Sequence, residues 1–154
     1  MKKICVITGS RAEYGLLKNI MINIKGSRSL SLQLVVTGMH LSPKFGLTYR
    51  KIEQDGFLID EKIEMLLSGD RPSSIAKSIG LGTILFSGCL EKLSPDMIVL
   101  LGDRFEILSC ALSAMVLRIP IAHIHGGEVT PHLIDESIRH SITKMSQIHF
   151  VSTD

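Results

Sequence analysis

Between Ile119 and Ser146 the chain reads IPIAHIHGGEVTPHLIDESIRHSITKMS. His123, His125, Glu128, Asp135, Arg139 and His140 stand within it, and the pair Gly126-Gly127 separates the histidines from the glutamate. Acids, bases and anion-binding groups together suit proton transfer beside a phosphate. The two glycines leave room for a substrate or a second stretch of backbone to come close. Positions 123 and 125 are two apart, so on a strand both imidazoles face the same side. Two histidines with Glu128 also make a nominal zinc set. No H-E-x-x-H spacing or cysteine pair completes it, and the stretch is read as holding no metal. A structural reading of 135–146 competes: a solvated helix face with Asp135–Arg139 and Glu136–His140 pairs. That reading leaves Glu128 without a role.

Two further clusters carry chemistry. TGSRAEYG (residues 8–15) is a small-residue turn entering a helix. The amides of Gly9 and Ser10 and the helix dipole suit a phosphate there, and Arg11 adds a bidentate grip. The turn lacks the Gly-Lys-Ser/Thr ending of a Walker loop and the second glycine of the dinucleotide fingerprint. An ordinary turn with Ser10 as N-cap fits equally well. LLGDRFE (100–106) sets Asp103 at the tip of an apolar run, where an unpaired charge is costly. Asp103 is read either as a catalytic carboxylate or as the N-cap of the next helix, paired with Arg104. His40 follows VVTGM and is a third candidate to face a ligand.

Each cluster follows an apolar run. ICVITG (4–9), LSLQLVVTG (30–38), FLIDEKIEM (57–65), MIVLLG (97–102), IPIAHI (119–124) and IHFVST (148–153) read as six strands, the third weaker than the rest. Between them, helices are predicted at 12–26, in short form within 43–56, and at 73–93, 104–118 and 135–146. In the first of these Leu16, Leu17, Ile20 and Ile24 supply the apolar positions, and in the third glycines stand at 80, 82 and 88. Strands alternating with helices imply a parallel, doubly wound, Rossmann-like α/β sheet. Ligands bind such sheets beyond the carboxyl ends of the strands, where strand order reverses. If strands one and four are neighbours, the three polar clusters meet on one edge.

Composition fits this picture. The chain has 154 residues, 45% of them hydrophobic, enough for one domain with a real core. A net charge of +2, with five Phe, two Tyr and no Trp, excludes a nucleic-acid platform and a membrane surface as partners. Cys5, Cys89 and Cys110 are scattered in apolar contexts and read as buried free thiols of a reducing compartment. The start MKKICVITGS has too short an apolar run for a signal peptide. No continuous apolar stretch approaches the ~20 residues of a membrane span. A cytoplasmic location is expected.

In this order, TGSRAEYG, VVTGMHLSPKFG, LLGDRFEIL, IAHIHGGEVT and IDESIRHSITKMS resemble the UDP-N-acetylglucosamine 2-epimerase family, most of all its hydrolysing, sialic-acid-pathway branch. The resemblance runs over essentially the whole chain. It implies two Rossmann-like domains facing across a cleft, the GT-B arrangement, with residues 1–154 forming the N-terminal domain. The second domain, which supplies most UDP contacts and a further histidine, is then absent, and the 154 residues hold half an active site. The implied reaction gives N-acetylmannosamine and UDP from UDP-N-acetylglucosamine and water. UDP is eliminated to a 2-acetamidoglucal, which is then hydrated, with no metal or nicotinamide cofactor.

The resemblance makes Asp103 the catalytic aspartate, Asp135 a second functional carboxylate, Arg11 the nucleotide-side arginine and Glu128 a further acid or base. It also implies a homo-oligomer, dimer or tetramer, in the full-length protein. Three departures matter. His125 stands where several relatives have a catalytic glutamate, in HIEGGE, so proton transfer passes to His125 or to Glu128. Pro131-His132 replaces a glycine-containing loop, and Gln147 replaces a common histidine; both are expected to alter the loop or the sugar pocket. UDP-diacetylbacillosamine of the legionaminic acid pathway is an alternative substrate. A non-hydrolysing epimerase, whose motif reads HVEAGLR, and a non-catalytic dimerisation or regulatory fragment are further alternatives.

Overall fold

The central apolar runs become strands because their side chains find a core on both faces of the sheet, while the runs at 61–63 and 148–150 pair at its edges, the latter exposed along its whole length. In the computed structural model, which describes residues 1–129 and 134–152, these strands are β1 (Lys2–Thr8), β2 (Leu30–Thr37), β3 (Glu61–Ile63), β4 (Met97–Leu101), β5 (Ile121–Ile124) and β6 (Ile148–Phe150). The helices are α1 (Arg11–Gly26), α2 (Tyr49–Gln54), α3 (Pro72–Leu93), α4 (Phe105–Val116) and α5 (Ile134–Met145), with short 3-10 turns at Gly38–Leu41 and Pro43–Phe45. All six strands are parallel, in the order β3-β2-β1-β4-β5-β6. The expected Rossmann-like double winding is what forms, with β1 beside β4.

Period-two alternation divides the core. Cys5 and Ile7 of β1 face α3, α4 and α5, where they pack with Phe86, Ile107, Cys110 and Ile138. Val6, Leu34 and Val99 face α1 and α2, among Tyr14, Leu17, Met21 and Ile52. The three cysteines are buried free thiols.

Four expectations need adjustment. The buried stripe of α1 is Tyr14, Leu17, Met21 and Ile24, while Leu16, about 100° further round the helix, is exposed. The third strand pairs over three residues only. Before it, the Asp60 carboxylate accepts the Leu34 N–H at 2.7 Å, so a side chain takes a position that backbone would otherwise hold. Gln147 lies at the opposite edge from the polar clusters, where its Oε1 accepts the Ile121 N–H at 2.9 Å, so it cannot shape a pocket among them. Finally, α3 is long and apolar enough to cross a membrane by length and composition, although no continuous apolar run is. It packs against α4, where Ser109 and Ser113 donate to the Ile79 and Thr83 carbonyls. Pro131 and His132 lie outside the described residues.

Candidate functional site

Strand ends set the site. Thr8, Thr37, Leu101 and Ile124 finish their strands at one edge of the sheet, and the three polar clusters begin there, as the topology required. Three cavities ring this edge. The largest, about 570 Å³, lies between the turns after β2 and β3 and is closed by Arg104 and Phe105. A second, about 290 Å³, is lined by Arg11, Tyr14, Thr48, Arg50 and Lys51 over His40. A third, about 180 Å³, brings Asp135 to Arg104. A cavity of about 350 Å³ around Met1, Lys25 and Leu30 opens at the far edge, remote from all three clusters.

Ser10 caps α1, its side chain accepting the Glu13 N–H at 3.4 Å. Glu13 reaches back, and its Oε2 accepts the Gly9 N–H at 2.6 Å. This is a capping box shifted by one residue, with the S-R-A-E spacing that announces it in the sequence. The amides of Gly9 and Glu13 are thus already engaged by the protein, which reduces the phosphate cradle expected of this turn. Arg11, the first residue of α1, is exposed beside the second cavity. His40 is fully buried. Its Nε2 meets Thr8 Oγ1 at 3.0 Å and its Nδ1 meets Thr48 Oγ1 at 2.8 Å, so it forms the floor of that cavity with both nitrogens in use.

Behind the first turn sits a set of charges that sequence reasoning missed. Glu106 is fully buried, and Arg104 grips it through Nη2 at 3.0 Å and Nε at 3.2 Å. Gly38, at φ +58, lies so close that a Cβ there would stand 2.8 Å from Glu106 Oε1 and 3.0 Å from the Gly9 carbonyl. The signal for this set was a second acid, Glu106, three residues past Asp103 at the end of a buried strand.

Asp103 is not the N-cap of α4. Arg104 holds that position, without a side-chain cap, and Asp103 pairs with Arg139, not with Arg104. Arg139 is buried rather than solvated. Its Nη2 donates to Asp103 Oδ2 and its Nη1 to the Glu128 carbonyl at 2.6 Å, so one guanidinium ties the turn after β4 to the turn after β5. His140, one residue on, points outward to Glu136 at 3.6 Å and does not join the site.

The two histidines of HIHGGE part company. His123 is buried, with Nε2 2.7 Å from the Gly102 carbonyl and Nδ1 3.1 Å from Thr143 Oγ1. A carbonyl only accepts, so Nε2 carries the hydrogen and Nδ1 accepts from Thr143. His125 lies past the strand end at φ +59, which turns its ring away from the side that β alternation assigned. There Nδ1 meets Glu128 Oε1 at 2.9 Å in a half-exposed pair. Of the two glycines, Gly126 packs against His123, where a Cβ would stand 2.7 Å from Nδ1, while Gly127, at φ +83, faces open space.

Electrostatics follow burial. Burial lowers the His40 imidazole to about 4 and also lowers His123. Burial raises the Glu13 carboxyl to about 7, and its Oε1 has no partner among the described residues. The signs oppose. Stability from neutral His40 is present above pH 6.5 and lost as pH falls through about 4. Stability from protonated Glu13 is present below pH 4.5 and lost as pH rises through about 7. Each amounts to about 3 kcal/mol. Glu13→Gln removes one slope, so unfolding free energy should then rise more steeply with pH between 4.5 and 6.5 than in the wild type, while His40→Gln should tilt it the opposite way. Urea denaturation across that window reads both; unchanged slopes would refute the assignment. Arg139→Ala strands the Asp103 carboxylate and should cost about 3 kcal/mol in the same assay. Arg139→Lys, which lacks the fork, should recover only part of it.

A family model described as UDP-N-acetylglucosamine 2-epimerase matches residues 22–154. The chain is 50% identical to a GDP/UDP-N,N'-diacetylbacillosamine 2-epimerase (hydrolyzing) of Campylobacter jejuni, over 98% of this chain and 39% of that protein. It is 41% identical to a UDP-N,N'-diacetylbacillosamine 2-epimerase (hydrolyzing) of Legionella pneumophila, over 100% of this chain and 41% of that one. The crystal structure of Methanocaldococcus jannaschii UDP-GlcNAc 2-epimerase in complex with UDP-GlcNAc and UDP superposes with a TM-score of 0.83 at 24% identity, over 98% of this chain and 40% of that one. The chain therefore spans about 40% of the length of these relatives, and its Rossmann-like sheet is the N-terminal half of a GT-B fold. By the matched family model and by these identities, the chain belongs to the UDP-N-acetylglucosamine 2-epimerase family.

Proposed function

We propose that this chain is the N-terminal domain of a hydrolysing UDP-sugar 2-epimerase whose second, UDP-binding domain lies outside residues 1–154. The observation that carries the reading is the wall at the strand ends in which Arg139 joins Asp103 to the turn bearing His125 and Glu128, with Asp135 beside Arg104 and Arg11 on the rim. Such a wall can take a proton from C2 of the sugar. The C2–H electron pair becomes the C1=C2 bond, and the C1–O pair departs with UDP. Water then adds at C1 while C2 regains a proton on its opposite face. Both steps are redox-neutral, so no oxidant enters. Arg11 would meet diphosphate charge, Gly127 would admit the sugar, and Asp103 and Asp135 would exchange protons with it.

For the sugar, the sequence pointed first to N-acetylglucosamine. The 50% identity to a diacetylbacillosamine enzyme, against 35% to a Neisseria meningitidis UDP-N-acetylglucosamine 2-epimerase, favours UDP-N,N'-diacetylbacillosamine. Turnover of both UDP-sugars by the full-length protein in D2O is the test. We expect UDP release and a free C2-inverted sugar carrying deuterium at C2, with the higher kcat/KM for the diacetylated substrate. Product without deuterium would sink the elimination route. Asp103→Asn should lower kcat by about a hundredfold or more with the far-ultraviolet circular dichroism unchanged.

The homo-oligomer reading has support on α3. Ile84 is 70% exposed at the middle of an outer stripe that includes Gly80 and Gly88. Lys77 and Glu91 stand at equal distances on either side of Ile84, both exposed. An antiparallel crossing of two copies at Ile84 would set each Lys77 against the partner copy's glutamate, the self-complementarity that a two-fold interface demands. Sedimentation velocity should show a dimer or tetramer in the wild type and a lower order in Ile84→Glu; an unchanged order would remove this face from the interface.

A further inference from the structure

His125 and Glu128 do different work, and the loop geometry separates them. The His125 backbone N–H donates to the Phe150 carbonyl at 2.9 Å, which pins the start of the turn to β6. The other end is held by Arg139 on the Glu128 carbonyl at 2.6 Å. Between these anchors Glu128 Oε1 accepts from Nδ1 of His125 at 2.9 Å and from Ser152 Oγ at 3.0 Å. The Glu128 side chain is therefore tied both to its own turn and to Ser152 after β6, and its Oε1 is occupied twice. Nε2 of His125 has no hydrogen-bond partner among the described residues, and the ring is 40% exposed. His123, two residues earlier, is the contrast, with both nitrogens consumed by the fold.

An ionised carboxylate only accepts hydrogen bonds. The hydrogen of neutral His125 must then sit on Nδ1, and the ring nitrogen that bears the lone pair is the one facing out. The His125 hydrogen bond holds the Glu128 carboxyl below the usual glutamate range, which keeps it in the accepting form at neutral pH. We propose that Glu128 is a positioning residue, not a proton donor or acceptor toward substrate. It fixes the Nδ1–H tautomer so that Nε2 of His125 is the proton-transferring atom. The assignment rests on the epimerase reading for the reaction but not for the tautomer. In that reaction the Nε2 lone pair takes the C2 proton as the C1–O pair leaves with UDP, and the imidazolium charge is offset by Glu128. Among the described residues Arg139 of α5 is the further charged group that acts on the Glu128 carboxylate.

Two readouts on the full-length enzyme test this. Nitrogen-15 chemical shifts of labelled histidine should show His125 protonated at Nδ1 in the wild type and shifted toward the Nε2–H form in Glu128→Leu. In turnover, His125→Gln should lower kcat by about a hundredfold or more. Glu128→Leu should lower kcat with KM little changed, because the ring loses the partner that sets its tautomer and orientation. An Nε2–H tautomer in the wild type overturns the proposal. So does a Glu128→Leu enzyme whose kcat and tautomer stay put, or a His125→Gln enzyme with more than about a tenth of wild-type kcat. If no UDP-sugar is turned over, the epimerase reading fails on its own, and the nitrogen shifts still decide the role of Glu128.

Discussion

A buried guanidinium cannot be left without acceptors, and at this sheet edge Arg139 finds them on two different turns. Its fork reaches the Asp103 carboxylate after β4 and the Glu128 carbonyl after β5. The cost of stranding either group makes the two turns one unit. The helix that delivers Arg139 is held by Ile138 and Ile142, which are buried in the core shared with α3 and α4. Packing one turn of α5 correctly therefore places the charge, and the charge places the loops.

The first turn is secured differently. Glu13 and Ser10 close the capping box, Gly38 lets the turn after β2 press on Glu106, and Arg104 neutralises Glu106 from the rim. His40 fills the space beneath through Thr8 and Thr48. Four ionisable side chains thus stand behind the surface on which a substrate would lie. The opposing titrations of Glu13 and His40 leave net stability less sensitive to mild acidity than either would alone.

Similar residue types ended in different roles because of where regular structure stops. His123 still belongs to β5 and is drawn into the fold by the Gly102 carbonyl and Thr143. His125 has left the strand, and the backbone there is left-handed, so it turns to Glu128 in partial solvent. A two-residue spacing predicts a common face only while both residues are in the strand. The same logic separates Arg139 from His140, neighbours in sequence whose side chains point into the site and out to Glu136.

By itself, the sequence determined the number of strands and their order along the chain, their parallel winding and the family; that the three polar clusters meet at one edge waited on β1 lying beside β4. Apolar runs and helical periods are local signals, and each is repeated over many residues. Only the tertiary structure decided which polar side chains are partners. Asp103 read as a cap paired with Arg104, yet it answers to Arg139 thirty-six positions away. Glu13 and Glu106 passed unremarked, yet both are buried behind the first turn. Past a strand end, side-chain direction is set by loop dihedrals and by the need to pair buried charge, and neither has a period to read.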